Sequence, residues 1–85
     1  MKAIADIEVG QLQDALAWAL RFVEETFGRS PDQIAARPQG VVAFASARIL
    51  YTDDIDFPAG DRRLYDRLMG EFQSTFDNWM KNRVS

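Results

Sequence analysis

Along this chain, apolar positions recur at helical spacing in two long windows and crowd without a period in a third. Between residues 7 and 27, Val9, Leu12, Leu16, Ala19, Val23 and Phe27 fall at i, i+3 and i+4 on one helical face. Asp6 is placed to cap this helix, Glu8 puts negative charge in its first turn, and Gly28 is a C-terminal stop. Between residues 61 and 83, Leu64, Tyr65, Leu68, Met69, Phe72, Phe76, Trp79 and Met80 share one face. Arg63, Arg67, Gly70, Ser74, Asp77 and Lys81 share the other, Asp61 reads as N-cap, and Asp77 and Lys81 form an i, i+4 pair in the favourable order. Ser30-Pro31-Asp32-Gln33 is the opening of a capping box, so a short helix is expected over 31–37. It should end before Pro38, and Pro38-Gln39-Gly40 reads as a turn.

The aperiodic window runs from Gly40 to Thr52 and carries one charge, Arg48. At 100° per residue its apolar groups point in every direction, with Val41, Phe44 and Tyr51 to one side and Val42 and Ile49 to the other. A helix of this kind is expected to be buried on several sides, with the rest of the chain wrapped around it. Ala43, Ala45, Ser46 and Ala47 are small enough to let neighbouring helices approach closely. A β-strand is the competing assignment for 41–51. Three alanines and an arginine, without strict alternation, favour helix. The expected fold is all-α: a small antiparallel four-helix bundle in a single domain, with helices near 7–27, 31–37, 41–52 and 61–83.

Composition narrows the chemistry. Eighty-five residues make one domain, and an apolar fraction of 47% supports a real core. The chain has no cysteine and no histidine. Disulfides and thiolate ligands are therefore excluded, and zinc or nucleophile–base chemistry loses its usual carriers. A net charge of −3 disfavours nucleic acid, which requires a basic face. The same charge, with Pro38 where a packing side chain belongs, argues against the helix-turn-helix that QIAAR and SARIL resemble. No apolar run reaches the ~20 residues of a membrane span, and MKAIADIEVG is not expected to act as a secretory signal. The cytoplasm is the expected location, with no cofactor.

Three regions are candidate contact surfaces. Trp18 and Phe22 sit four apart within the polar stripe of the first helix. Either another element of the bundle covers them, or they anchor a partner. The connector Thr52–Asp61 holds Asp53, Asp54 and Asp56, which resemble the opening of a calcium loop. Pro58 and Ala59 then occupy its fifth and sixth positions and no Glu closes it, so no metal site is assigned. Arg62, Arg63 and Arg67 oppose the dipole of the helix they begin, and the aspartates just upstream are their expected partners. In an alternative reading, the same arginines hold an anionic ligand beside free helix N–H groups. Trp79 and Lys81 form the third region, where the apolar stripe runs on toward the C-terminus.

The order of long helix, break, apolar helix, hook and long amphipathic helix resembles the immunity proteins of the pediocin-like (class IIa) bacteriocins. The residues that carry the resemblance are ARILYT, the hook Asp54-Ile55-Asp56-Phe57-Pro58, and Asp61-Arg62-Arg63-Leu64, within about residues 40–76. It implies a cytoplasmic four-helix bundle that protects the producing cell by binding at a membrane sugar-transport receptor, without catalysis. The residues themselves support a non-catalytic interaction protein, immunity-type or another small bacterial or phage adaptor. A homodimer with a structural or regulatory role is the alternative, because the apolar surface is large for so small a domain.

Overall fold

The computed structural model describes residues 6–52 and 62–84, and these form four helices: α1 Val9–Phe27, α2 Pro31–Ala36, α3 Pro38–Thr52 and α4 Arg62–Val84. The fold is an all-helical bundle, as the periodicity predicts, and the strand alternative for 41–51 is ruled out. The expected cap at Asp61 and the connector lie outside the described residues.

The helix ends follow local chemistry. Glu8, not Asp6, is the N-cap of α1 (φ −76°, ψ 152°). Its N–H donates to Gln11 Oε1 at 2.9 Å. Asp6 has Val9 three residues on, and a valine cannot return such a bond. Ile7 and Leu12 are both buried at the two positions of a hydrophobic staple, which sets the angle at which the chain enters α1. Gly28 ends α1 in the left-handed conformation (φ 64°), where a side chain would be strained. The Ser30–Gln33 box forms as expected, with Ser30 N–H donating to Gln33 Oε1 at 3.0 Å and Gln33 N–H to Ser30 Oγ at 3.3 Å.

Pro38 does not make the expected turn. Arg37 alone breaks the helix (φ −139°, ψ 71°), and Pro38 is the first residue of α3. Proline suits that position because its missing N–H would have had no partner there. α2 and α3 are thus nearly consecutive, joined at one extended residue that precedes a proline.

Side-chain pairs give the helix directions. Trp18 meets Arg48 and Phe22 meets Phe44, so residue numbers fall along α3 as they rise along α1, and the two helices are antiparallel. Gln13 meets Glu71 and Glu24 meets Arg83, so α4 runs parallel to α1. α3 is therefore antiparallel to both long helices. The three pack on one another in an up-down-up arrangement, and α2 lies chiefly across α1 and α3. The 23 residues of α4, at ~1.5 Å each, account for most of the 38 Å long dimension.

One core joins the three. α1 contributes Leu12, Leu16, Ala19 and Leu20, α3 contributes Val41, Val42, Ala45 and Ile49, and α4 contributes Leu64, Leu68 and Phe72. The buried arc of α1 is wider than the stripe of its sequence pattern and centred differently, because α1 faces two neighbours. Ala15 and Leu20 lie inside it, while Val9 is 47% exposed and Phe27 53% exposed.

The expectation for α3 needs a larger correction. One face is buried and its flanks, Phe44, Ser46 and Leu50, are half-buried. Ala43, Ala47 and Tyr51 are exposed, Tyr51 at 92%. The helix is enclosed on one side, not all round, and of its small residues only Ala45 is fully buried.

Leu68, fully buried on α4, should report this core. Leu68→Ala is expected to cost ~2–5 kcal/mol, read as a drop in the urea midpoint and in Tm. At protein concentrations where the chain sediments at single-chain mass, Tyr51→Ala should stay within ~0.5 kcal/mol of the parent protein. Comparable losses for the two would contradict the assignment of inside and outside on α3 and α4.

Candidate docking surface

The outer seam between α1 and α3 is aromatic because two helical stripes meet there. On α1, Trp18 and Phe22 are one turn apart and stack with ring centroids 5.1 Å apart and planes 20° apart. On α3, Phe44, Ala47, Arg48 and Tyr51 fall at i, i+3, i+4 and i+7. Phe22 lies 5.1 Å from Phe44, and Phe27 lies 5.8 Å from Phe44 and 5.9 Å from Phe22. The Arg48 guanidinium sits 4.6 Å from the Trp18 ring centroid, within the range of a cation–π contact. α3 therefore covers Trp18 and Phe22 in part. Both are half-buried and packed against the core, and their outer edges border the exposed side of α3.

That exposed side is uncharged along most of its length. Gly40, Ala43, Ala47 and Tyr51 lie outward, and Arg48, the only charge of α3, is turned toward Trp18. Sequence reasoning found Trp18 and Phe22 but missed Phe44, Arg48 and Tyr51 as their companions. The signal was the i, i+3, i+4, i+7 stripe on α3, which had been assigned wholly to the interior.

The remaining candidates among the described residues do not join this surface. Arg62 pairs with Asp66 at 3.8 Å, both well exposed, and its guanidinium is 5.7 Å from the Tyr65 ring centroid. Its partner in the described residues is thus within its own helix. Arg63 and Arg67 are likewise engaged. Asp53, Asp54 and Asp56 lie outside the described residues. Trp79 is half-buried against Phe76 at 5.8 Å, with the Arg83 guanidinium 4.7 Å from its ring centroid. Arg83 Nη1 also holds both carboxylate oxygens of Glu24 at 2.6 Å, which ties the ends of α1 and α4 together. Lys81 is exposed beyond this contact, and the Asp77 carboxylate takes Gln73 Nε2 as its partner at 3.0 Å. The arginines at the start of α4 and the Trp79 region thus lie at opposite ends of that helix.

Among the described residues, no three His, Cys, Asp or Glu side chains are gathered as metal ligands. No helix there is long and apolar enough to cross a membrane.

The seam is open to a direct energetic test. A double-mutant cycle between Arg48→Ala and Trp18→Leu should give a coupling of ~0.5–1 kcal/mol in chemical denaturation. A coupling indistinguishable from zero would mean that the guanidinium does not rest on the indole in solution. Comparison with models of known families, with curated proteins and with solved structures returns no match for this chain.

Proposed function

We propose that this chain is a non-catalytic helical docking module that works as a homodimer through the outer face of α3. The observation that carries the reading is the uncharged face of Gly40, Ala43, Ala47 and Tyr51, left exposed on the least charged helix of the molecule. A helix apolar on all sides is normally enclosed on several, and the protomer encloses this one on a single side. Contiguous apolar surface of this kind marks an interface.

A second copy is the occupant favoured by charge and shape. A two-fold interface sets a patch against itself, so charged residues near the axis would meet their own kind. Gly40, Ala43, Ala47 and Tyr51 carry no charge, and Arg48 beside them is turned onto the Trp18 ring. Antiparallel packing centred between Ala43 and Ala47 would bring each tyrosine toward the glycine end of the other helix. Small side chains allow helix axes to approach toward the short end of the usual 8–10 Å range. Gly40 supports the same arrangement. A Cβ built there meets nothing within 4 Å, as at Gly10 and Gly70, so packing within the protomer does not require glycine, which has a lower helix propensity than alanine. The aromatic seam of Trp18, Phe22 and Phe44 borders this face and widens the contact area.

A second reading is supported by the order of the elements. A long helix, a break, an apolar helix and a long amphipathic helix follow each other in the order on which the resemblance to the pediocin-like bacteriocin immunity proteins rests, and its hook lies outside the described residues. In that reading the protein acts inside the producing cell at a membrane sugar-transport receptor. Expression in a strain sensitive to pediocin-like peptides should then raise its resistance, and unchanged sensitivity across such peptides removes this reading.

The dimer is tested by sedimentation equilibrium from micromolar to sub-millimolar protein. The weight-average mass should rise from the 9.7 kDa of one chain toward twice that value. Ala47→Glu should stay at the single-chain mass throughout with an unchanged helical spectrum, because position 47 is exposed in the protomer. A parent protein that remains at one chain mass over the whole range ends the proposal.

A further inference from the structure

The end of the bundle where α1 stops, α2 crosses and α3 begins holds a cleft of about 530 Å³. Ligand sites commonly occupy ~300–1,000 Å³. Val23, Ile34 and Val41, all buried, form its apolar base. Arg29 and Arg37 are the only charged residues in its lining, and both are exposed at the rim. No acidic side chain lines it, although the chain as a whole carries a net charge of −3. Among the described residues, neither guanidinium has an ion-pair partner, whereas Arg62 and Arg83 each hold a carboxylate.

Two unpaired guanidiniums above an apolar base form an amphiphilic site. The guanidinium fork matches the planar carboxylate and the phosphate oxygens, and such contacts are among the stronger hydrogen bonds in proteins. An inorganic ion would leave the apolar base uncovered, and a neutral apolar ligand would leave both cations without a partner. We propose that the cleft binds a small organic anion with one charged head and a short apolar body. The shared chemistry is that of a medium-chain carboxylate or an alkyl phosphate. The head is held by Arg29 and Arg37, and the body rests on Val23, Ile34 and Val41. None of these five residues belongs to the outer face of α3, although Gly40 of that face also lines the cleft, so binding is measured at a protein concentration where the chain sediments at single-chain mass.

The test is titration of the full chain with octanoate, with octyl phosphate below its micelle concentration, and with inorganic phosphate. Binding is followed by calorimetry and by amide and methyl NMR shifts. At least one amphiphile should saturate, shifting the methyls of Val23, Ile34 and Val41 together with the amides of Ala36, Arg37 and Gln39. Saturation by octanoate alone assigns the carboxylate class, by octyl phosphate alone the phosphate class, and by both the shared chemistry. Inorganic phosphate should bind about tenfold more weakly or worse, since it gains nothing from the apolar base. The double variant Arg29→Gln/Arg37→Gln should weaken the amphiphile about tenfold or more. Arg21→Gln, which removes an exposed cation elsewhere on α1, should leave affinity unchanged. Failure of both amphiphiles to saturate at millimolar concentration overturns the proposal. So does undiminished binding by the double variant, or inorganic phosphate binding as tightly as the amphiphiles.

Discussion

The structure depends on one burial event: the inner face of α3, with Val41, Val42, Ala45 and Ile49, enclosed between the apolar faces of α1 and α4. Without α3, the two long helices would meet along one seam and leave the rest of their apolar arcs wet. With it, each long helix has two neighbours, which is why the buried arc of α1 spans Leu12, Ala15, Leu16, Ala19, Leu20 and Val23 instead of a narrow stripe. Hydrophobic burial is non-directional and scales with the area removed from water. It draws α3 inward but does not say how much of it must be covered. α1 and α4 both pack on the inner side of α3, and α2, at six residues, is too short to cover its outer side.

The same geometry explains why α1 and α4 are parallel. α3 makes the one return path along the bundle, with α2 across its start, so α4 runs in the direction of α1. Parallel helices place both C-terminal ends on the same side, and like ends of two helix dipoles repel. Arg83 sits at that end, with its guanidinium on the Glu24 carboxylate and over the Trp79 ring, and Lys81 and Arg83 both lie in the last turn of α4. Cations in the last turn offset the negative end of the dipole, and α1 has none of its own there. The cross-helix pair thus supplies to α1 a charge that its own sequence lacks.

Much of this was legible in the sequence where the signal is local. The Ser30–Gln33 box, the Gly28 stop and the stripe of α4 each follow from residues within a few positions of one another. The start of α1 was equally local, in Glu8 and Gln11 with Ile7 and Leu12 beside them, but Asp6 is the better cap by residue type and drew the assignment. Thr75 is 6% exposed on the inner arc of α4, and no apolar pattern would include it. Its hydroxyl donates to the Glu71 carbonyl at 2.9 Å, so the side chain is satisfied within its own helix and tolerates burial. Features that depend on register between distant segments were not legible. Arg48 over Trp18 joins residues thirty positions apart, and neither helix alone indicates which of its faces the other will cover.

The exposed face of α3 has a bland explanation that accounts for only part of it. Alanine has the highest helix propensity of any residue, so Ala43 and Ala47 would be favourable on a purely solvated face. Gly40 and Tyr51 do not fit that explanation. Glycine in the first turn of α3 gains nothing from helix propensity, and no contact within the protomer asks for it. A tyrosine ring left almost wholly in water forgoes the burial that aromatic side chains usually contribute. Local propensity would have replaced both, one with alanine and the other with a charged or amide side chain. Their presence at the two ends of one uncharged face, with small residues between, fits the close-packed helix pair proposed above. In the dimer proposed above, the corresponding face of another copy would complete the enclosure that α3 lacks among the described residues.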